Sequence, residues 1–392
     1  TARLAMDQPL VSLRCHAGMS DELWDATLGL IEQGMGFPAL FNDPVVMEAK
    51  ERVGIAPEDA ANYGIVGCVE MTVPGAEWAQ TEAVRLNWAK VLELMLNGGV
   101  CTRTGRQTPL ASATPLAWLT TFDEFCAAYG EVFARAVDVL ARGTIIRDRG
   151  FGEVYAYPFL SSTMTGPLTA GTDVTSGGAR YNALTMNSCG MADVADSLMA
   201  IKTCVYDEAS VSLAELAAGV RTDFAEASGL QSKLASAGAR FGNDDAAADG
   251  ILVDLVGRLH EQLARYETPR GGVWQMGLYT VDAHSHLGKL TGALPSGRRA
   301  GVSLANGCSP CQGADAHGPT AVVRSLTALD HTQLGNGFVG DLKFTPELLA
   351  SAGGKRALRG LIETYFSLGG MEIQFNVVDR ETLLAARAEP EA

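Results

Sequence analysis

The chain has 392 residues, 47% of them hydrophobic, with 45 acidic and 30 basic side chains and a formal charge of −15 at pH 7. That field has the wrong sign for nonspecific binding to nucleic acid or an anionic membrane, and no apolar run reaches the ~20 residues that span a bilayer. Eight cysteines dispersed over so long a chain read as reduced thiols of a cytoplasmic protein, not as a disulfide scaffold.

The opening TARLAMDQPLVSLRCHAG has neither an initiator Met nor a signal-peptide pattern and reads like the middle of a protein. Residues 9–15 are the first strand candidate. Ser20 is placed to cap a helix to about 33, in which Trp24, Leu28 and Ile31 recur at helical spacing before Gly34. Residues 37–46 read as strand or loop, 57–61 as a helical turn, and 63–70 (YGIVGCVE) as a buried strand running into an exposed loop. Loop continues over 71–83. Residues 87–99 carry a helix with Trp88, Val91, Leu92, Met95 and Leu96 on one face, Asn87 as cap and Gly98–Gly99 as stop. Further helices are expected at about 121–142, 188–206, 208–221, 226–237, 247–268, 320–333 and 346–367. Loop and turn are expected over 169–182, a Gly-, Ser- and Pro-rich functional loop over 270–320, and a clean strand at 372–379. Helices alternating with short apolar strands give an α/β class, barrel-like or parallel.

The sharpest chemical feature is GCVE (67–70). Cys68 and Glu70 are two apart, so in extended backbone they point the same way, and a thiol and a carboxyl group then face one space. That suits sulfur attack or abstraction with a carboxylate moving a proton. The residues alone leave open a buried, inert Cys68 with Glu70 solvated at the strand end. No basic neighbour or helix N-terminus stands close enough to activate a thiolate. Arg85 precedes the helix at 87 and reads either as a surface arginine or as a clamp for a carboxylate or sulfonate. Trp78, Gln80, Thr81 and Glu82 share its loop. Asn336, Asp341 and Lys343 flank GFVG (337–340), as pocket groups or as structural loop hydrogen bonding. Cys308 and Cys311, with His284 and His286, have the composition of a zinc site, against which stands the plainer reading of loop thiols and ordinary histidines.

Several separated segments resemble one family: FPALFNDPVV (37–46), EDAANYGIVGCVEMTVPG (58–75), LNWAKVLELMLNGG (86–99), the stretches 177–208 and 288–331, the latter with GRRAG, NGFVGDLKFTPELL (336–349) and GGMEIQFNVVDRETLLAA (369–386). In order and spacing they resemble the glycyl radical enzymes of the pyruvate formate-lyase-like superfamily, over essentially all of residues 1–392. The resemblance implies a ten-stranded α/β barrel of two antiparallel five-stranded half-barrels with surrounding helices, and a cysteine loop (about 64–86) thrust into the lumen. It implies that Cys68 forms a transient thiyl and that Glu70 is the acid/base. It places Trp78, Thr81, Arg85, Asn336 and Asp341 as substrate-binding candidates and the GRRAG turn at Arg298–Arg299 as structural. No metal or bound cofactor is implied in turnover. A backbone glycyl radical is, installed by a separate S-adenosylmethionine/iron–sulfur activating enzyme, in a homodimer working anaerobically on a small-molecule substrate.

GCVE, in place of two adjacent cysteines, resembles the eliminating members: dehydratases, the choline lyase and sulfite lyases, with some arylacetate decarboxylases. It counts against formate acetyltransferase chemistry. An anionic or zwitterionic substrate is favoured slightly, on Arg85. No RVxGY-like motif follows QFNVVD, and Met371–Glu372 stand where the family usually has His. The expectation is therefore a fragment without its radical domain, inactive as it stands, with a noncatalytic role as the alternative.

Overall fold

The computed structural model describes residues 10–225 and 227–389. Pro9 and Glu226, the first residues of a predicted strand and a predicted helix, lie outside the described residues.

One sheet is built of β1 (Ser12–Cys15), β2 (Ala39–Asn42), β10 (Asp341–Phe344) and β11 (Glu372–Val377), in the order β1-β2-β11-β10. Only the β11–β2 pairing in it is antiparallel. A second, parallel sheet has β7 (Tyr181–Cys189) at its centre. β8 (Val273–Leu278) and then β9 (Gly337–Phe338) lie on one side of β7, and β5 (Glu77–Trp78) and β6 (Val84–Asn87) on the other. The two sheets meet where β9 passes into β10. There Val339 donates its N–H to Leu278 O (3.1 Å) and Gln374 donates to Gly340 O (2.9 Å). The result is one curled, mainly parallel sheet with helices outside it. The expected pair of five-stranded half-barrels is present only in this coarser form.

The helices carry the caps their sequences promise. Ser20 caps Asp21–Ile31, and Asn87 accepts from Lys90 N–H to start Trp88–Leu96. Thr121 and Glu124 form a reciprocal capping box, the arrangement that satisfies two orphan N–H groups at once. That helix continues past the expected 142 to Val154. Trp88 and Phe133 meet edge to face at 4.9 Å in the core between sheet and helices, a geometry worth about 0.5–1.5 kcal/mol beyond area burial. No described helix is long and apolar enough to cross a membrane.

Several expectations need correcting; the loop expected over 270–320 holds β8 and the helix Ala283–Leu290. Residues 43–52 form a helix, with Pro44 in its first turn where a missing N–H costs nothing. The region 63–70 is not a buried strand. It is a hairpin, β3 (Gly64–Val66) against β4 (Glu70–Thr72), with Val66 exposed. The central strand β7 occupies residues read as loop before 182 and as helix from 188.

Candidate active site

The hairpin turns at Gly67, whose φ of +63° is open to glycine without steric cost. Cys68 follows at the tip, half-buried, with Val69 packed into the core. The Glu70 side chain folds back beneath the tip. One carboxylate oxygen, Oε2, accepts from Cys68 N–H (3.1 Å) and Val69 N–H (3.0 Å). The tip rests on β9, where a Cβ added to Gly337 would stand 2.5 Å from Val69 O. Only glycine lets the two backbones approach so closely.

Cys68 lines a cavity of about 340 Å³ together with Phe37, Val281, Asp282, Asn306 and Gln374. Of the seven site residues read from the sequence, it alone lines this space. Glu70 is beside Cys68 but is only 6% exposed. Burial pushes the Cys68 thiol above its ordinary pKa, and the charges of Glu70, Asp282 and Glu82 push it further. Cys68 is therefore held as S–H, the form that exchanges hydrogen atoms, and not as a nucleophilic thiolate.

The other predicted residues are placed as follows. Arg85 lies on β6, not in a loop. It donates to Glu82 (2.6 Å) and to Thr280 O, so its charge is already matched. Thr81 contributes its backbone carbonyl, which accepts from Asn187 Nδ2 (2.9 Å), Tyr279 OH (2.9 Å) and Asn336 Nδ2 (2.9 Å). Asn336 is fully buried and also donates to Asn187 Oδ1 (2.8 Å). Asp341 accepts from Asn306 (2.9 Å) and Asn376 (2.7 Å), and so fixes Asn306 in the cavity wall. Trp78 packs edge to face on Tyr157, and its carbonyl accepts from Arg270. Lys343 donates to Gln312. Arg298 donates to Gly288 O, Gly292 O and Val302 O. Sequence reasoning missed Asn187, Tyr279, Thr280 and Asp282. The first lies in the unrecognised strand β7, and the other three directly follow the unrecognised strand β8.

Cys308 is fully buried, and the Cys311 thiol lies against the buried carboxylates of Asp193 and Asp196. His284 pairs with Thr280 (3.1 Å). No group of three or more His, Cys, Asp or Glu able to hold a metal occurs among the described residues.

The Pyruvate formate lyase-like family model matches residues 1–288, and the chain belongs to that family. A (2S)-3-sulfopropanediol dehydratase of Klebsiella oxytoca is 33% identical over 396 aligned positions, covering 100% of this chain and 48% of the relative. A trans-4-hydroxy-L-proline dehydratase of Clostridioides difficile is 28% identical, covering 92% of this chain and 45% of the relative. The solved glycerol-bound B12-independent glycerol dehydratase from Clostridium butyricum superposes with a TM-score of 0.93 at 34% identity, over 99% of this chain and 49% of that one. The chain thus spans about half the length of the relatives it matches.

One expectation is overturned. The Glycine radical family model matches residues 304–392, so the chain does not lack the radical domain, and the ground for expecting it to be inactive is removed. A single short motif was too narrow a marker. The match runs through the loop at 304–318, β9 to β11 and the C-terminal helix Arg380–Ala388.

Proposed function

We propose that the protein is a glycyl radical lyase of the dehydratase type, in which Cys68 abstracts hydrogen from a small hydroxylated substrate and Glu70 moves the proton of elimination. The observation that carries this reading is Cys68 itself, kept protonated at the rim of a cavity, with a carboxylate anchored two residues away and no cation paired to it among the described residues. The fit to radical chemistry is specific. A thiol that must both give and take a hydrogen atom needs an S–H, and the surrounding carboxylates preserve it.

The backbone glycyl radical, installed by a separate S-adenosylmethionine/iron–sulfur activating enzyme, supplies the hydrogen-atom acceptor that opens each turnover. Cys68 sulfur, having given up its hydrogen, takes one from a substrate C–H that carries a hydroxyl. Glu70 accepts the proton of that hydroxyl and passes it to the neighbouring hydroxyl, which leaves as water while a carbonyl forms. The product carbon then recovers a hydrogen atom from Cys68 S–H. Of the substrates named for the relatives, glycerol and a sulfopropanediol carry the two hydroxyls this step needs, and hydroxyproline carries one, the group that would leave. Asn336 and the Thr81 carbonyl act as positioning groups, because they lock the segment after the hairpin to β7 and β9. Trp78, Arg85 and Asp341 act behind the cavity wall in the same way.

In the full-length protein the curled sheet forms part of a ten-stranded barrel of two half-barrels, in a cytoplasmic homodimer. The test is anaerobic turnover by the activated full-length enzyme, with the radical followed by paramagnetic resonance. Cys68→Ser is expected to keep the glycyl signal and lose turnover. Retained turnover would remove Cys68 from the reaction and end this reading.

A further inference from the structure

Among the described residues that line the Cys68 cavity, Asp282 carries the single charged side chain. It stands at the N-cap position of helix Ala283–Leu290, yet its carboxylate makes no cap hydrogen bond. Nor does it enter any ion pair among the described residues. The wall around it is mostly apolar, with Phe37, Val281 and Val339. A carboxylate in such a setting keeps its acceptor capacity for what enters the cavity.

Its direction is fixed by the backbone before it. Val281 has φ +53°, the left-handed region, where a β-branched residue costs about 1–3 kcal/mol and persists only if its neighbours over-determine it. They do. Thr280 is 1% exposed, accepts from Gly307 N–H (3.0 Å) and donates to Asn306 Oδ1 (3.0 Å). Its carbonyl accepts from Arg85 and from Ala283 N–H. Tyr279 is anchored on the Thr81 carbonyl. The strained residue thus turns the chain so that Asp282 faces the space that Cys68 faces, close enough for its charge to bear on that thiol.

We propose that Asp282 is a specificity-determining residue that accepts hydrogen bonds from a hydroxyl or ammonium group of the substrate and disfavours sulfonates and carboxylates. Arg85, the cation that would welcome an anion, is committed to Glu82 and the Thr280 carbonyl. An anionic group would meet the unpaired charge of Asp282 in the cavity wall, while Arg85 is already matched by Glu82. A neutral polyol meets no such repulsion, and it supplies the donors that Asp282 lacks. This inference names the substrate class of the site proposed above and rests on that reading for its catalytic meaning.

Equilibrium binding to the full-length protein before activation tests it without needing the radical. Wild type is expected to bind 1,2-propanediol or glycerol more tightly than isethionate. Asp282→Asn is expected to weaken diol binding about tenfold, the scale of one lost charge-assisted hydrogen bond, and to narrow the preference over isethionate. Asp282→Ser, smaller and uncharged, should narrow it as well. Tighter binding of isethionate by wild type, or an unchanged preference in both variants, overturns the proposal. Retained binding preference in a protein whose Cys68→Ser form turns over normally would sink the lyase reading and leave the Asp282 assignment standing.

Discussion

Two glutamates seven residues apart behave in opposite ways. Glu77 on β5 is fully enclosed, and its carboxylate meets Lys50 Nζ (3.1 Å), Gln275 Nε2 (2.8 Å) and Val73 N–H (3.0 Å). Lys50 is itself 0% exposed and also donates to Met71 O (2.7 Å). Burial pulls the Lys50 pKa down, and Glu77 opposes that pull. Glu70 on the hairpin has two backbone N–H donors on one oxygen and no cation among the described residues. Both are nearly excluded from solvent. A buried carboxylate matched by an ammonium is a fastener. A buried carboxylate held only by backbone dipoles is not tied into an ion pair. The fastener stands directly behind the hairpin that carries the reactive pair, so one glutamate supplies the rigidity that the other needs.

The comparison is tested most severely by activity. Cys68→Ser is expected to remove turnover entirely with no loss of thermal stability. Glu70→Gln keeps an oxygen to accept the two N–H groups, so the hairpin should hold. The expected loss in kcat is about 10²–10⁴-fold, the range general acid–base catalysis supplies. Normal kcat in the Glu70 variant would place the proton elsewhere.

The fastener makes the converse prediction. Lys50→Met leaves the Glu77 charge buried without its partner and should cost about 3–5 kcal/mol in denaturant unfolding. Lys50→Met with Glu77→Gln removes both charges and should recover much of that loss, because an uncompensated charge is the larger penalty. If the double variant is as unstable as the single, Lys50 acts through packing and not through charge.

Between these lies Gly337→Ala. The new Cβ would meet the Val69 carbonyl at 2.5 Å, at a residue whose φ is +118°. The cysteine tip must then move away from β9. Overpacking and strain of this kind cost about 1–3 kcal/mol, but kcat should fall disproportionately to stability, since a displacement of ~1 Å can cost 10²-fold. Parallel loss of kcat and folded fraction, with no change per folded molecule, would show that the tip tolerates the shift.

The same contrast explains what could be read from the sequence. Cys68–Glu70 was legible because GCVE is contiguous and its residue types are unusual together. The capped helices were legible because Ser20, Asn87 and the glycines after 97 are local signals. β7 was not, because YNALTMNSC breaks the apolar pattern of a central strand. Its Thr185 and Asn187 are buried, and their polar groups are satisfied only by partners distant in sequence, such as Gln80 O, Thr81 O and Asn336. Arg85 was misplaced for the same reason: its strand pairs only with β7. With the strands hidden, the place of Asp282 beside Cys68 could not be anticipated, although Glu82 was a legible partner for Arg85. The radical domain was missed because it was sought in a five-residue motif and not in the strands and helices before it.

The smallest expected effect sharpens the comparison most. Lack of a cation is not enough to mark a reactive carboxylate, and Asp249 is the control. It lies in helix Ala246–Leu263, away from the Cys68 cavity, and Ser325 Oγ donates to its Oδ2 (2.9 Å), while its Oδ1 is buried without a partner. Burial, opposed by Ser325 and aided by Asp244 and Asp245, raises its pKa from 3.8 to about 6. Between those values the folded chain keeps a proton that the unfolded chain has released, so this group's contribution to stability falls as pH rises and levels off above about 6. Asp249→Asn keeps an acceptor for Ser325 and removes the charge. It should therefore raise stability at pH 7.5 by on the order of 1 kcal/mol, give no gain at pH 3.5, and leave kcat unchanged at both. The difference between the two melting curves is the measurement. A gain that does not vary with pH would assign the effect to packing. A change in kcat would mean that an unmatched carboxylate reaches the reaction even without a cavity beside it, and would undo the distinction drawn for Glu70.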